Sequence, residues 1–316
     1  MIAVPLPRPF HVERTLSFLR TSALRTPYQF LDPYRVRRLV RLRGRPSIVE
    51  FAFTAPARSG AALNASPQLR VAVVRSARGA RREPGRADGS IGPELRRLAA
   101  AVWSLDDDLR LCYRIFGRDP VMKPVLAHCR GLRMIRTPDL YEVLMIAIVN
   151  QQISVAAGEA IRRRLNAALG DRLTVEGLQY TATPTPRRLL AAGLVALRRL
   201  GLSRQKARFA LEIAERARIG LLDADRFRAL DDDAAMAELM EIPGVGRWTA
   251  EIAMMRGLGR PDVFPAGDLG LVVAVQRLLG RKDRPSEDEL RGMAARWPGW
   301  RSYGAIYLWR SLGITA

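Results

Sequence analysis

The chain has 316 residues, 48% of them apolar, enough for two or three domains and a substantial core. Its 52 Lys and Arg against 31 Asp and Glu leave a net charge of +21, a surplus that points to a polyanionic partner. The two cysteines, Cys112 and Cys129, exclude a disulfide framework or a Cys-ligated iron–sulfur cluster. The two histidines, His11 and His128, lie too far apart in sequence to suggest zinc. No run approaches the ~18 apolar residues of a membrane span. The first ten residues contain three prolines and no continuous apolar stretch of a signal peptide. The expectation is a cytoplasmic protein, associated with the nucleoid if bacterial, that does not bind membranes.

Residues 1–90 read as a small α+β unit. A basic, half-apolar stretch from Arg35 to Arg45 precedes two strand candidates, Ile48–Phe53 and Leu69–Val74, both rich in β-branched or aromatic residues. Ala77–Gly92, rich in Gly, Arg and Pro, reads as an exposed loop. From Pro93 the pattern is helical to the end, so 91–316 is expected to be a mostly α-helical region. The acidic run Asp106-Asp107-Asp108 is expected on a solvated face. Thr137-Pro138 reads as an N-cap and first-turn proline of an almost wholly apolar helix over 139–149. Asn150-Gln151-Gln152-Ile153 breaks the pattern before a helix capped by Ser154. A helix over 203–218 places Arg204, Lys206, Arg208 and Arg216 outside.

The stretch Leu239–Leu279 carries the densest signal. Pro243 and Gly244 stop a helix, Gly246 permits a sharp turn, and a new helix starts near Arg247. Unpaired N–H groups of Val245, Gly246 and Arg247 at such a start suit a phosphate. A loop over 263–268 follows and ends at Asp268, which heads another helix, with Gly267 leaving room beside it. On its own Asp268 reads equally as an N-cap.

Ile242-Pro243-Gly244-Val245-Gly246-Arg247-Trp248-Thr249-Ala250, with Asp268 18 residues on, resembles the helix–hairpin–helix superfamily of DNA glycosylases, and within it the DNA-3-methyladenine glycosylase II family. Asn150–Ala156, Trp297–Tyr303 and Trp309 fall in that family's order, so the resemblance covers roughly 115–312. It implies an N-terminal antiparallel sheet, a phosphate-binding hairpin at 239–250 (Gly244, Val245, Gly246, Arg247, Thr249) and a catalytic Asp268. It also implies a base pocket drawn from Trp248, Ile252, Tyr303 and Trp309, with Tyr303 the weaker member. Gln152, beside Gln151, falls where the family inserts a wedge into the DNA stack. A monovalent cation, K or Na, on the carbonyls of Ile242, Gly244 and Gly246 is a further implication, with no other cofactor required.

The chemistry is consistent with that set. Breaking an N-glycosidic bond builds positive charge on the sugar, which a fixed carboxylate in a water-poor pocket stabilises. Strand-cutting relatives carry a lysine nucleophile where this chain has Trp248, so a monofunctional enzyme that leaves an abasic site is expected. Without a matched second acid, the leaving base is expected to depart with little protonation, which suits alkylated purines such as 3-methyladenine and 7-methylguanine. Ile252, Gln152 and Val272 depart from the family pattern. A monomer acting on damaged double-stranded DNA follows. A glycosylase for deaminated or oxidised purines, or a non-catalytic damaged-DNA-binding protein, remain the alternatives.

Overall fold

The computed structural model describes residues 1–54, 68–77 and 91–313. Most of the expected Ala77–Gly92 loop, including the boundary at residue 90, lies outside them. The architecture is α+β. Five antiparallel strands are ordered β1-β5-β4-β3-β2: β1 Ile2–Pro5, β2 Gln29–Phe30, β3 Arg35–Leu42, β4 Arg45–Phe53 and β5 Gln68–Ser76. The helix α1, Val12–Thr21, connects β1 and β2 in sequence. Arg43 and Gly44, both at positive φ, close the β3–β4 hairpin in the backbone geometry that matches strand twist.

The basic stretch is therefore a central strand. Two of its arginines, Arg37 and Arg38, are buried because each finds acids, while Arg35 and Arg41 stay exposed. Arg37, on one face of β3, pairs with Glu50 at 2.6 Å and Glu176 at 2.8 Å. Arg38, on the other face, donates both Glu142 bonds at 2.8 and 2.9 Å and reaches the Tyr28 hydroxyl. A second hairpin, β6 Arg172–Val175 with β7 Leu178–Thr181, covers the first face through Tyr180, Leu39 and Ile48.

The other face shares one continuous core with the helices. In α2, Gly92–Trp103, Trp103 meets the edges of Phe51 and Phe53 at 5.4 and 5.0 Å between ring centres. Next come α3 Arg110–Arg118, α4 Met122–Cys129 and the central α5, Leu140–Asn150, with nine buried residues. Asp139, not Thr137, caps α5, accepting from the Glu142 N–H at 2.7 Å; Thr137 is spent on the Asp139 and Arg256 carbonyls. Asp107 does not belong to a solvated face. It accepts from Arg136 at 2.7 Å and from the Tyr303 hydroxyl at 2.6 Å, so it anchors the interior.

The remaining helices are α6 Val155–Leu169, α7 Pro186–Arg199, α8 Arg204–Arg218, α9 Ala224–Ala229, α10 Asp232–Met240, α11 Arg247–Ala253, α12 Leu269–Leu278, α13 Glu287–Ala294 and α14 Arg301–Ser311. Among the described residues no helix is long and apolar enough to cross a membrane.

The Arg38–Glu142 pair is the buried electrostatic joint between sheet and central helix. Arg38→Met leaves Glu142 an uncompensated buried charge and should cost about 3–5 kcal/mol in urea unfolding. Arg38→Met with Glu142→Met should cost less than either single change.

Candidate active site

Helix α10 ends at Glu241, and the chain turns through Pro243-Gly244-Val245 into α11. Gly244 has φ +87°, and a Cβ there would fall 2.2 Å from the Phe209 ring of α8. Close approach as well as backbone conformation therefore requires glycine. Gly246 faces open space and precedes α11 without a side-chain cap. The N–H groups of Gly246 and Arg247 meet no acceptor among the described residues, whereas the Val245 N–H is spent on the Ile242 carbonyl at 2.9 Å. The free donor set is thus smaller than the sequence implied.

Thr249 also departs from its expected place. It is buried, and its hydroxyl accepts from the Gln151 amide at 3.0 Å. That amide also donates to the Gly244 carbonyl at 2.9 Å. Gln151 is thus turned inward as a bridge between α5 and the hairpin, and only Gln152 is presented outward. Gln152 is exposed at φ +54°, a left-handed conformation unusual for a residue with a side chain. Lys206, expected on the outside of its helix, reaches under this loop. Its Nζ donates to the Val149 and Gln151 carbonyls at 2.9 and 2.6 Å, and desolvation lowers its pKa.

The carbonyls of Ile242, Gly244 and Gly246 accept from Val245, Gln151 and Ala250 respectively. A carbonyl has two lone pairs, so each retains one acceptor position.

Asp268 lies at the N-cap of α12 and accepts from the Leu271 N–H at 3.1 Å. The loop before it is pinned from behind. The Ser302 hydroxyl donates to the Arg260 and Val263 carbonyls at 2.8 and 2.9 Å, and the Phe264 ring packs edge-on against Trp297. Two indole N–H groups then close on the carboxylate. Trp248 Nε1 of α11 donates to Oδ2 at 3.0 Å, and Trp309 Nε1 of α14 donates to Oδ1 at 2.8 Å. Three helices distant in sequence thereby converge on one acid.

Gly270 makes the convergence possible. A Cβ there would lie 2.9 Å from Asp268 Oδ1 and 3.2 Å from the Trp309 indole, while Gly267, expected to leave room beside Asp268, meets only Glu287. Ile252 is partly buried on α11. Tyr303 is fully buried, with its hydroxyl on Asp107, so it belongs to the core under the site and not to a cleft wall. Among the described residues no group of three or more His, Cys, Asp and Glu converges.

The HhH-GPD superfamily of base excision DNA repair proteins matches residues 145–298. A DNA-3-methyladenine glycosylase of Bacillus subtilis is 30% identical over 210 residues, 66% of this chain and 69% of that protein. The chain belongs to the DNA-3-methyladenine glycosylase family. The fold likeness extends further than the sequence match. The 3-methyladenine DNA glycosylase of Archaeoglobus fulgidus superposes with a TM-score of 0.81 at 25% identity, over 100% of this chain and 99% of that one. A Schizosaccharomyces pombe 3-methyladenine DNA glycosylase, solved in complex with abasic DNA, matches 65% of this chain and 97% of that one, with a TM-score of 0.57 at 25% identity. The hairpin, Asp268 and Trp248 all fall inside the 145–298 match; Trp309 falls outside it.

Gly270→Ala should displace the carboxylate or the indole, costing about 1–3 kcal/mol in urea unfolding and shifting the tryptophan emission. Gly267→Ala, whose Cβ would make only an ordinary contact with the Glu287 side chain, should change neither.

Proposed function

We propose that the protein flips alkylated purines out of duplex DNA and hydrolyses their glycosidic bonds with Asp268, leaving an abasic site. The observation that carries this reading is the Asp268 carboxylate, fixed through both oxygens by indole N–H groups on the helix that leaves the hairpin and on α14. Family membership supports the reaction class, base excision of alkylated bases.

The reaction needs little else from the protein. An alkylated purine already carries positive charge and leaves readily, so the barrier lies in the oxocarbenium character of the sugar. A carboxylate held in place needs no reorganisation as that charge forms. From the same position it orients the attacking water, which adds to C1′ as the base departs. Trp248 and Trp309 act twice in this reading. Their N–H edges hold Asp268, and their partly exposed rings offer electron-rich faces to a cationic base, worth about 0.5–2 kcal/mol. Ile252, half-buried beside them on α11, completes the wall.

Damaged duplex DNA is the substrate, held through its phosphates by the Gly246 and Arg247 N–H groups and by the basic surface. Gln152, exposed at the tip of its loop, fills the gap left by the flipped base. The reading includes a monomer working in the cytoplasm. It also includes hydrolysis without strand cleavage. A lyase requires an amine nucleophile, and Lys206, the lysine tied to the end of α5 beside the hairpin, has its amine on the Val149 and Gln151 carbonyls.

Base release from methylated duplex DNA by wild type and Asp268→Asn tests the reading. Single-turnover release should fall at least about 100-fold in Asp268→Asn with DNA affinity retained, and strand breaks should appear only after alkali. Undiminished release by Asp268→Asn would remove the role of Asp268. Breaks without alkali would show an amine-driven lyase.

A further inference from the structure

Arg256 lies in the middle of a π-helical turn, Met254–Leu258, that continues α11. Single π turns re-aim side chains and occur often beside functional sites. This one sends Arg256 inward, where it is 6% exposed. Its Nη1 donates to the Ile135 carbonyl at 2.7 Å. No carboxylate pairs with it among the described residues, whereas the buried Arg37 and Arg38 of the sheet each have one; the buried Arg133 and Arg162 also lack a carboxylate, but each donates to two or more carbonyl oxygens. The titratable group that faces it is the Tyr303 phenol of α14, already committed to Asp107. Burial lowers the guanidinium pKa to about 10, so the group is still a cation at neutral pH.

A buried cation without a counter-ion is costly. What surrounds this one is aromatic. Its guanidinium carbon lies 5.6 Å from the ring centres of both Phe18 of α1 and Trp309 of α14. Trp309 is the indole whose N–H donates to Asp268 Oδ1. A cation on an indole face confines the ring and draws its electron density, which strengthens the edge N–H as a donor. Gly270, where a Cβ would stand 3.2 Å from the Cδ1 and Nε1 atoms of the same ring, leaves that edge free to reach Asp268. The guanidinium thus backs one face of the indole while the N–H edge is held on Asp268, and the other face is left for the base.

We propose that Arg256 is a positioning residue for base excision, holding and polarising the Trp309 indole that orients the Asp268 carboxylate. This rests on the reading of Asp268 as the catalytic acid. Arg256 itself touches neither DNA nor the reacting sugar.

A double-mutant cycle tests it, using Arg256→Met, Trp309→Phe and the combination, with Arg256→Lys as the conservative control. The readouts are single-turnover release of 3-methyladenine from methylated duplex DNA and affinity for a duplex containing an abasic-site analogue. Arg256→Met should slow release by about tenfold with affinity unchanged. Arg256→Lys should recover most of that loss. In the Trp309→Phe background, where no N–H remains to be strengthened, Arg256→Met should have little further effect. Equal losses in both backgrounds, or a loss carried by affinity, would overturn the proposal and leave Arg256 a packing residue. Should Arg256→Met melt below the assay temperature, Arg256→Gln, which keeps a donor for the Ile135 carbonyl, replaces it with the same two outcomes. Wild-type release by Asp268→Asn would instead remove the underlying reading. An inactive Asp268→Asn beside an additive Arg256 cycle would remove only this proposal.

Discussion

One carboxylate governs the architecture around it. Asp268 receives an N–H from the first turn of its own helix and one from each of two indoles carried by α11 and α14. Hydrogen bonds to a charged acceptor contribute about 1.5–3 kcal/mol each, but here their geometric effect matters more than their energy. They leave the carboxylate a single orientation, and they demand that three helix segments keep their spacing to within a few tenths of an ångström. Gly270 shows how little slack exists, because one added methyl group would contact both the acid and an indole.

The rest of the chain supplies that spacing. Glu251, buried on α11, takes Arg291 of α13 at 3.0 Å and Arg247 at 3.3 Å; burial raises its pKa, and the two arginines oppose the shift. Ser302 of α14 ties down the loop that delivers Asp268. On the opposite side of the hairpin, Gln151 and Lys206 join α5, α8 and the turn at Gly244 into one hydrogen-bonded unit. The left-handed Gln152 therefore projects from a rigid base. Hairpin, outward-projecting loop and acid are thereby fixed relative to one another through α5 and α11. The N-terminal sheet joins the same core through Trp103 and the Arg38–Glu142 pair.

The sequence shows the site best where function depends on local backbone. Pro243-Gly244 marks the hairpin because helices cannot pass it, and Asp268 and Ser154 mark helix starts because their side chains satisfy orphan N–H groups three residues on. Side chains that act across the fold leave no such mark. Trp248 and Trp309 are recognisable as aromatic walls, but that their edges rather than only their faces are used is visible only once α11 and α14 are seen together. Gly267 looks like the small residue that matters, and it is Gly270. The strand Arg35–Leu42 is obscured by its arginines, whose acids Glu50, Glu142 and Glu176 come from three other segments. Asp107 and Lys206 look like solvated charges for the same reason, since their partners lie 29 to 196 and 55 to 57 residues away in sequence.

The proposed chemistry is electrostatic: a fixed carboxylate matched to a cationic sugar. Affinity for duplex DNA bearing a positively charged pyrrolidine in place of one deoxyribose, compared with the neutral tetrahydrofuran analogue, measures that match directly. A site complementary to the transition state should favour the cation by at least about 100-fold, and Asp268→Asn should erase the preference while leaving the neutral analogue bound as before. Equal affinity of the wild-type protein for both duplexes would contradict the account.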